Sequence, residues 1–142
     1  MSFSSDADIA ALTDAFRNCT LPKEKWTHAA HWAAALSLLA ADEAAAHRDM
    51  PGMIRAYNES VGGRNTDTEG YHETITIASL RAASHALAAA PAGAPLHEVL
   101  ASLLAGPCGK PDWVFAYWTK DRLFSTEARR EWLAPDVQNL PF

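Results

Sequence analysis

Apolar residues recur three and four positions apart along most of this 142-residue chain, and no segment alternates apolar and polar side chains with β-branched residues. This period predicts amphipathic helices and no strands. The first helix is expected to begin after Ser4 or Ser5 and to end near Asn18, because "TLP" at residues 20–22 contains a proline that cannot continue a helix.

The same pattern predicts the remaining elements. They are a second helix from an N-cap at Thr27 to near Ala41, a third segment from Asp42 to about Ser60, a fourth helix from about Tyr71 to Ala90, a fifth from Pro95 to Ala105, and a last short helix capped by Ser125. "MPG" at residues 50–52 predicts a kink in the third segment, or two short helices of which the second opens at Asp49 or Met50. The tail "APDVQNLPF" is expected to be extended and to lie across the body.

The predicted fold is all-α: a compact helical bundle with four main helices and shorter C-terminal ones, in a single domain spanning residues 1–142. The second and fourth helices are the longest and the richest in alanine, so we expect them at the centre and next to each other.

Composition and charge narrow the function classes. Hydrophobic residues make up 49% of the chain and charged residues 20%, as in ordinary globular proteins. The net charge of −5 argues against a general nucleic-acid binder, which needs a basic face.

Cys19 and Cys108 form no C-x-x-C pattern, so neither a zinc knuckle nor a redox pair is indicated. The N-terminus lacks a basic signal-peptide region, and no apolar run is long enough to span a bilayer, so a cytoplasmic protein without membrane partners is expected.

Two stripes of polar side chains at helical spacing carry the candidate chemistry. The first starts in "KWTHAAHW" at residues 25–32 and comprises His28, His31, Trp32, Ala35 and Leu39; the second comprises His72, Thr76, Ser79 and Ala83, with Glu73 beside it. A small polar stripe beside an apolar helix face can line a pocket. The two stripes therefore predict one pocket between the second helix, the fourth helix and the glycine-rich loop at residues 62–70.

One hypothesis for this pocket is a metal site. Its ligands would be His28, His31, His72 and Glu73, since imidazoles with a carboxylate suit zinc, iron, nickel or manganese. The interiors of helical bundles hold such sites, with ligands projected from facing helices.

A second hypothesis is a metal-free pocket for a small molecule. His28 or His72 would be a general acid or base, and Glu73 would orient a histidine or be the base itself. Arg64 and Asn65 would hold an anionic or amide-bearing ligand. Tyr71, which follows the loop, would close over the pocket, and Thr76 would line it.

The third interpretation is structural. The histidines would be partly buried and hydrogen-bonded to the backbone or to Asn65 and Thr66, and the loop would be a connector with Asx turns. The aromatic residues of the segment at 113–118 would then include an exposed homodimer contact. This interpretation makes the chain a non-catalytic protein-interaction module.

Three segments resemble those of a set of small uncharacterised bacterial all-helical proteins: "WTHAAH" (26–31), "YNESVGGRNTDTEGYHETIT" (57–76) and "ARREWLAPDV" (128–137). The resemblance implies no mechanism, but it implies that the Trp-Thr-His segment and the Tyr-His-Glu-Thr segment belong together. The overall size is also similar to that of DinB-like metal-binding bundles, an analogy of fold only. Taken together, the residues favour a small-molecule enzyme or binding protein with a His/Glu pocket, either metal-dependent or metal-free, over the interaction module.

Overall fold

The computed structural model describes residues 3–142, and these are helical with no strand among them. The predicted all-α class is therefore confirmed for this part of the chain. In chain order the helices are α1 (Asp6–Arg17), α2 (His28–Ala41), α3 (Glu43–Ser60), α4 (Glu73–Ala89), α5 (Leu96–Ala105), α6 (Lys120–Leu123) and α7 (Thr126–Arg130). Short 3-10 turns lie at Lys23–Lys25, Pro107–Gly109 and Trp113–Ala116.

Hydroxyl side chains begin three of these helices at the predicted positions. Ser5 accepts a hydrogen bond from the Asp8 amide at 3.2 Å, and Thr27 accepts one from the Ala30 amide at 3.2 Å. Ser125 does the same for α7. Each cap satisfies an amide that has no partner inside its own helix, which fixes where the helix starts. The cap at Thr27 places His28 in the first turn of α2.

The predicted division of the third segment into two short helices at residues 50–52 is wrong. α3 is one continuous helix from Glu43 to Ser60, with Pro51 inside it. With 18 residues it is longer than α2 (14 residues) and α4 (17 residues), so the expectation that the second and fourth helices are the longest is also wrong. The proline removes one backbone hydrogen bond, but Met50 before it is buried, and Met53 and Ile54 after it pack against the core. Tertiary packing on both sides of Pro51 therefore holds the two halves of the helix together.

Helix α2 contacts α1, α3, α4 and α5. Its buried side chains are mainly alanine and leucine, with Ala30, Ala33, Ala34 and Leu36 fully buried. Small side chains allow neighbouring helices to approach closely, so α2 can contact four partners along only 14 residues. One end of its buried face carries the imidazoles of the first polar stripe.

The C-terminal segment after α7 is extended and lies across the body, as the sequence predicts. The Val137 amide donates to the Tyr117 carbonyl at 2.9 Å, and the Arg81 guanidinium donates to the Phe142 carbonyl at 3.0 Å. The Phe142 ring packs near Trp113, with 6.2 Å between the ring centroids. None of the described helices combines the length and the apolar character that a bilayer crossing requires.

Candidate functional site

A cavity of about 370 Å³ lies between three helices and the segment that follows α5. We call it the α2–α4 cavity. It is lined by His28, His31, Trp32 and Ala35 from α2, Met50 and Ile54 from α3, Ile75, Thr76, Ser79 and Leu80 from α4, and Pro111, Trp113 and Val114 from the later segment. Four of the five residues of the first stripe and two of the four residues of the second stripe thus reach one common space.

The cavity wall is mostly apolar. Trp32 and Trp113 form part of it, with 5.8 Å between their ring centroids. Among the described residues no aspartate, glutamate, lysine or arginine lines it, and its polar side chains other than the two indoles are His28, His31, Thr76 and Ser79. A few polar groups on an apolar wall are typical of small-molecule sites.

His28 is held by a backbone carbonyl 80 residues away. Its Nε2 lies 2.8 Å from the Cys108 carbonyl oxygen, and Trp32 Nε1 lies 3.2 Å from the same oxygen. A carbonyl can only accept, so His28 Nε2 and Trp32 Nε1 each carry a proton and each donate to Cys108. These two nitrogens also lie 3.2 Å from each other, but a protonated Nε2 has no lone pair with which to accept from the indole. In a neutral His28 ring the remaining nitrogen, Nδ1, is therefore an acceptor. No group in the described part of the chain donates to it, and it is not buried.

His31 is held within its own helix turn. Its Nδ1 donates to the Thr27 carbonyl oxygen at 2.7 Å, and the Trp26 indole packs against the ring with 3.9 Å between centroids. Part of the side chain is exposed, but the ring is enclosed on its other side. This enclosure lowers the pKa of His31, the bond to Thr27 opposes the effect, and charge on nearby His28 lowers the pKa further. The neutral ring presents Nε2 as its acceptor.

Thr76 and Ser79 supply the hydroxyl groups of the wall. Thr76 Oγ1 donates to the His72 carbonyl at 2.8 Å, so its lone pairs remain for accepting. Within residues 3–142 the Ser79 hydroxyl has no hydrogen-bond partner and is half-buried in the cavity wall. It can donate or accept.

The structure places His72 outside the cavity, as the N-cap of α4. Its Nδ1 accepts from the Ile75 amide at 3.1 Å, and its Nε2 donates to the Leu123 carbonyl at 2.7 Å. Burial lowers the pKa of His72, the bond to Leu123 opposes this, and the charge of Arg129 adds to the lowering. Both ring nitrogens of His72 are engaged in hydrogen bonds within the fold. His72 therefore has no free nitrogen for the predicted catalytic or metal-ligating role.

Tyr71 and Glu73 form a pair of their own beside that cap. The Tyr71 hydroxyl donates to the Glu73 carboxylate, and the Arg55 guanidinium lies 4.1 Å from the centroid of the Tyr71 ring. Burial, and then the bond to Glu73, raise the pKa of the Tyr71 hydroxyl. Neither side chain is part of the wall of the α2–α4 cavity.

The glycine-rich loop does not form the third wall of the cavity, in contrast to the prediction. Asn65 fastens the loop to α3, since its Nδ2 donates to the Arg55 carbonyl at 3.0 Å, and its Oδ1 accepts from the Tyr71 amide at 3.1 Å. Arg64 is exposed. Gly70 has a φ of +81° and lies so close to the Arg64 carbonyl that a Cβ would be 2.1 Å from its oxygen. These contacts make Asn65 a structural residue.

The four-residue metal set is not assembled. His28 and His31 line the cavity, whereas His72 and Glu73 are engaged elsewhere by Leu123 and Tyr71. Over residues 3–142, no three side chains of histidine, cysteine, aspartate or glutamate are grouped so that they could hold one ion. Binding of a divalent metal stays a prediction from the sequence, and the described side chains do not form a set of ligands for it.

Sequence reasoning missed the walls that come from α3 and from the segment after α5. The sequence predicts that the aromatic residues of segment 113–118 lie partly in the core and partly exposed, without saying which; Trp113 and Trp118 are the buried ones, and Phe115 and Tyr117 are partly exposed. Nothing local in "KPDWVF" indicates that Trp113 meets Trp32, because the contact joins segments far apart in the chain. The homodimer stays a prediction.

The comparisons with known proteins supply no analogue for this site. No family model matches the chain, and neither a curated protein nor a solved structure is significantly similar to it.

Proposed function

We propose that this protein binds a small, uncharged, largely apolar organic molecule in the α2–α4 cavity. The observation that carries the proposal is the composition of the wall, in which two imidazoles and two hydroxyls interrupt otherwise apolar helix faces. The first polar stripe supplies both imidazoles from a single helix whose start is fixed by the Thr27 cap.

The size of the cavity supports a small ligand. Binding sites for drug-sized molecules have volumes of roughly 300–1,000 Å³, so about 370 Å³ lies near the lower limit. The indole rings of Trp32 and Trp113 offer flat apolar surfaces, which suits an aromatic or similarly compact ligand.

The electrostatics favour an uncharged ligand. A charged group transferred from water into this cavity would lose hydration and, among the described lining residues, would find neither a carboxylate nor a permanently charged cation to pair with. The neutral imidazoles of His28 and His31 offer lone pairs rather than a fixed charge. The site therefore favours molecules without charge.

Calorimetric titration with matched compounds tests this proposal. Benzyl alcohol, anisole and indole should bind, whereas benzoate and benzylammonium, which have similar rings with a charge, should bind at least about tenfold more weakly. If none of the neutral compounds binds measurably, the proposal is wrong. It is equally wrong if the charged compounds bind as tightly as the neutral ones.

A cavity-filling substitution locates the binding site. Ala35 is buried in the wall, and Ala40 is an exposed residue of the same helix. Ala35→Leu should weaken binding of benzyl alcohol at least about tenfold, and Ala40→Leu should leave it unchanged. Circular dichroism establishes that both variants are folded, and Ser79→Val replaces Ala35→Leu if that variant does not fold. Equal affinity in the filled and control variants would place the ligand elsewhere.

A further inference from the structure

The polar groups of the α2–α4 cavity are biased toward accepting hydrogen bonds. His28 Nε2 and His31 Nδ1 already donate to the carbonyls of Cys108 and Thr27, so each neutral ring offers only a lone pair. The hydroxyl of Thr76 also donates its hydrogen bond within the protein, to the His72 carbonyl. Three of the polar side chains in the wall can therefore only accept.

The donors of the wall are fewer. The Trp32 indole donates to Cys108 and is not available. The Ser79 hydroxyl can donate or accept, and the Trp113 indole N–H is a donor that no group in residues 3–142 accepts from. A ligand can therefore accept from one of these two groups, but it meets a larger number of acceptors.

The two imidazoles lie at different depths. They are three residues apart on one face of α2, a spacing that places their Cβ atoms about 5–6 Å from each other. His28 is half-buried and tied to the segment after α5, whereas His31 is exposed on one side. Because the His28 side chain is the less exposed of the two, we expect it to be the acceptor that loses more of its water on binding.

From this arrangement we infer that the bound molecule carries a hydroxyl or a ring N–H, and that the free imidazole nitrogen of His28, assisted by that of His31, accepts its proton in a hydrogen bond. The inference rests on the proposed function and names the class of ligand for the same site. A site that hydrogen-bonds a hydroxyl or N–H group rejects analogues without that group, because their binding leaves a desolvated acceptor unpaired.

Isomeric ligand pairs test the inference without any mutation. 3-Methylindole keeps the ring N–H that 1-methylindole has lost, and cresol keeps the hydroxyl that anisole has lost, while the formula is the same within each pair. The donor-bearing isomer should bind at least about tenfold more tightly. If the two isomers of each pair bind equally well, the inference is overturned and the proposed function stands. If no isomer binds, the proposed function itself fails.

Two substitutions then assign the acceptor. In His28→Gln the amide nitrogen can still donate to Cys108, but the acceptor at the Nδ1 position is lost, because the amide oxygen does not occupy that position. In His31→Asn the amide nitrogen can still donate to Thr27, and the acceptor at the Nε2 position is lost in the same way. The preference for the donor-bearing isomer should fall toward unity in His28→Gln and decrease in His31→Asn. The control is His47→Gln, an exposed residue of α3, which should keep the full preference. A preference that survives unchanged in both cavity variants would overturn the inference.

Discussion

Replacing His72 separates a structural histidine from a ligand-binding one. In His72→Ala the Ile75 amide loses its cap and the Leu123 carbonyl loses its donor. In His72→Asn the shorter side chain can still cap the helix, because asparagine is among the best N-cap residues, but it does not reach Leu123. His72→Ala therefore removes both the helix cap and the bond to Leu123, whereas His72→Asn removes only the bond to Leu123.

The structure sets the expected magnitudes. Loss of an N-cap costs about 1 kcal/mol, and an acceptor left unpaired in a buried position costs about 1–3 kcal/mol. The His72 side chain is well shielded, with 8% of the residue exposed, so solvent does not replace these bonds. We expect His72→Ala to lower the free energy of unfolding by about 2–4 kcal/mol and His72→Asn by about 1 kcal/mol less than that.

The pH dependence provides an independent check. The pKa of His72 in the folded protein lies below the ordinary value of 6.5, so the unfolded chain binds a proton more readily than the folded one. The stability associated with neutral His72 is fully present above pH 6.5 and is lost as the pH falls through the folded pKa. The slope is at most about 1.4 kcal/mol per pH unit for this one group. His72→Asn should flatten the decline of stability below pH 6.5, and the remaining slope should include His31, whose pKa is lowered in the same direction.

Urea denaturation followed by circular dichroism between pH 5 and pH 8 measures both effects, and calorimetry with benzyl alcohol measures binding to folded His72→Asn. The reasoning is refuted if the alanine and asparagine variants are equally stable, or if neither differs from the original protein. Loss of ligand binding in a folded His72→Asn would also refute it, since the residue would then act in the site.

Three further substitutions test the local backbone, each by its urea midpoint. Gly70→Ala should destabilise the protein by at least about 1–3 kcal/mol, because the φ of Gly70 is +81° and the new Cβ would meet the Arg64 carbonyl. Gly52→Ala is the control, since Gly52 lies in a helix and a Cβ there meets nothing within 4 Å; we expect it to gain about 0.5–1 kcal/mol of stability. Equal effects of the two glycine substitutions would contradict this account of the loop. Pro51→Ala should stabilise α3 by about 1–3 kcal/mol, since it restores a backbone donor inside a continuous helix; a loss of stability would show that the proline is needed there.

The features that the sequence predicted well are local ones. Ser5, Thr27 and Ser125 cap helices because a hydroxyl just before a helical stretch satisfies an amide two or three residues later. The stripe of His28, His31 and their helix neighbours was recognisable for the same reason, since positions three and four apart always share a face. Such arguments need no knowledge of the rest of the chain.

The errors concern partners distant in sequence. His72 is an unusual N-cap residue, and its second bond is to Leu123, 51 positions away, so no local rule distinguishes it from a catalytic histidine. The cavity wall at Trp113 depends on packing of the same kind. At Pro51 the local rule was explicit, but the packing of Met50 and Ile54 outweighed it. Long-range packing therefore decided which histidines face the cavity.

The bond from His28 to the Cys108 carbonyl also has a consequence for the order in which the protein forms. Its two partners are separated by 80 positions, and Trp113 follows five residues after Cys108. During synthesis, α1 to α4 emerge before the wall that completes the cavity exists. Until the later segment docks, His28 and Trp32 have no Cys108 carbonyl to donate to. A nascent chain ending before residue 108 therefore has no assembled binding site, and ligand added during translation should associate only after residues 108–114 have left the ribosome.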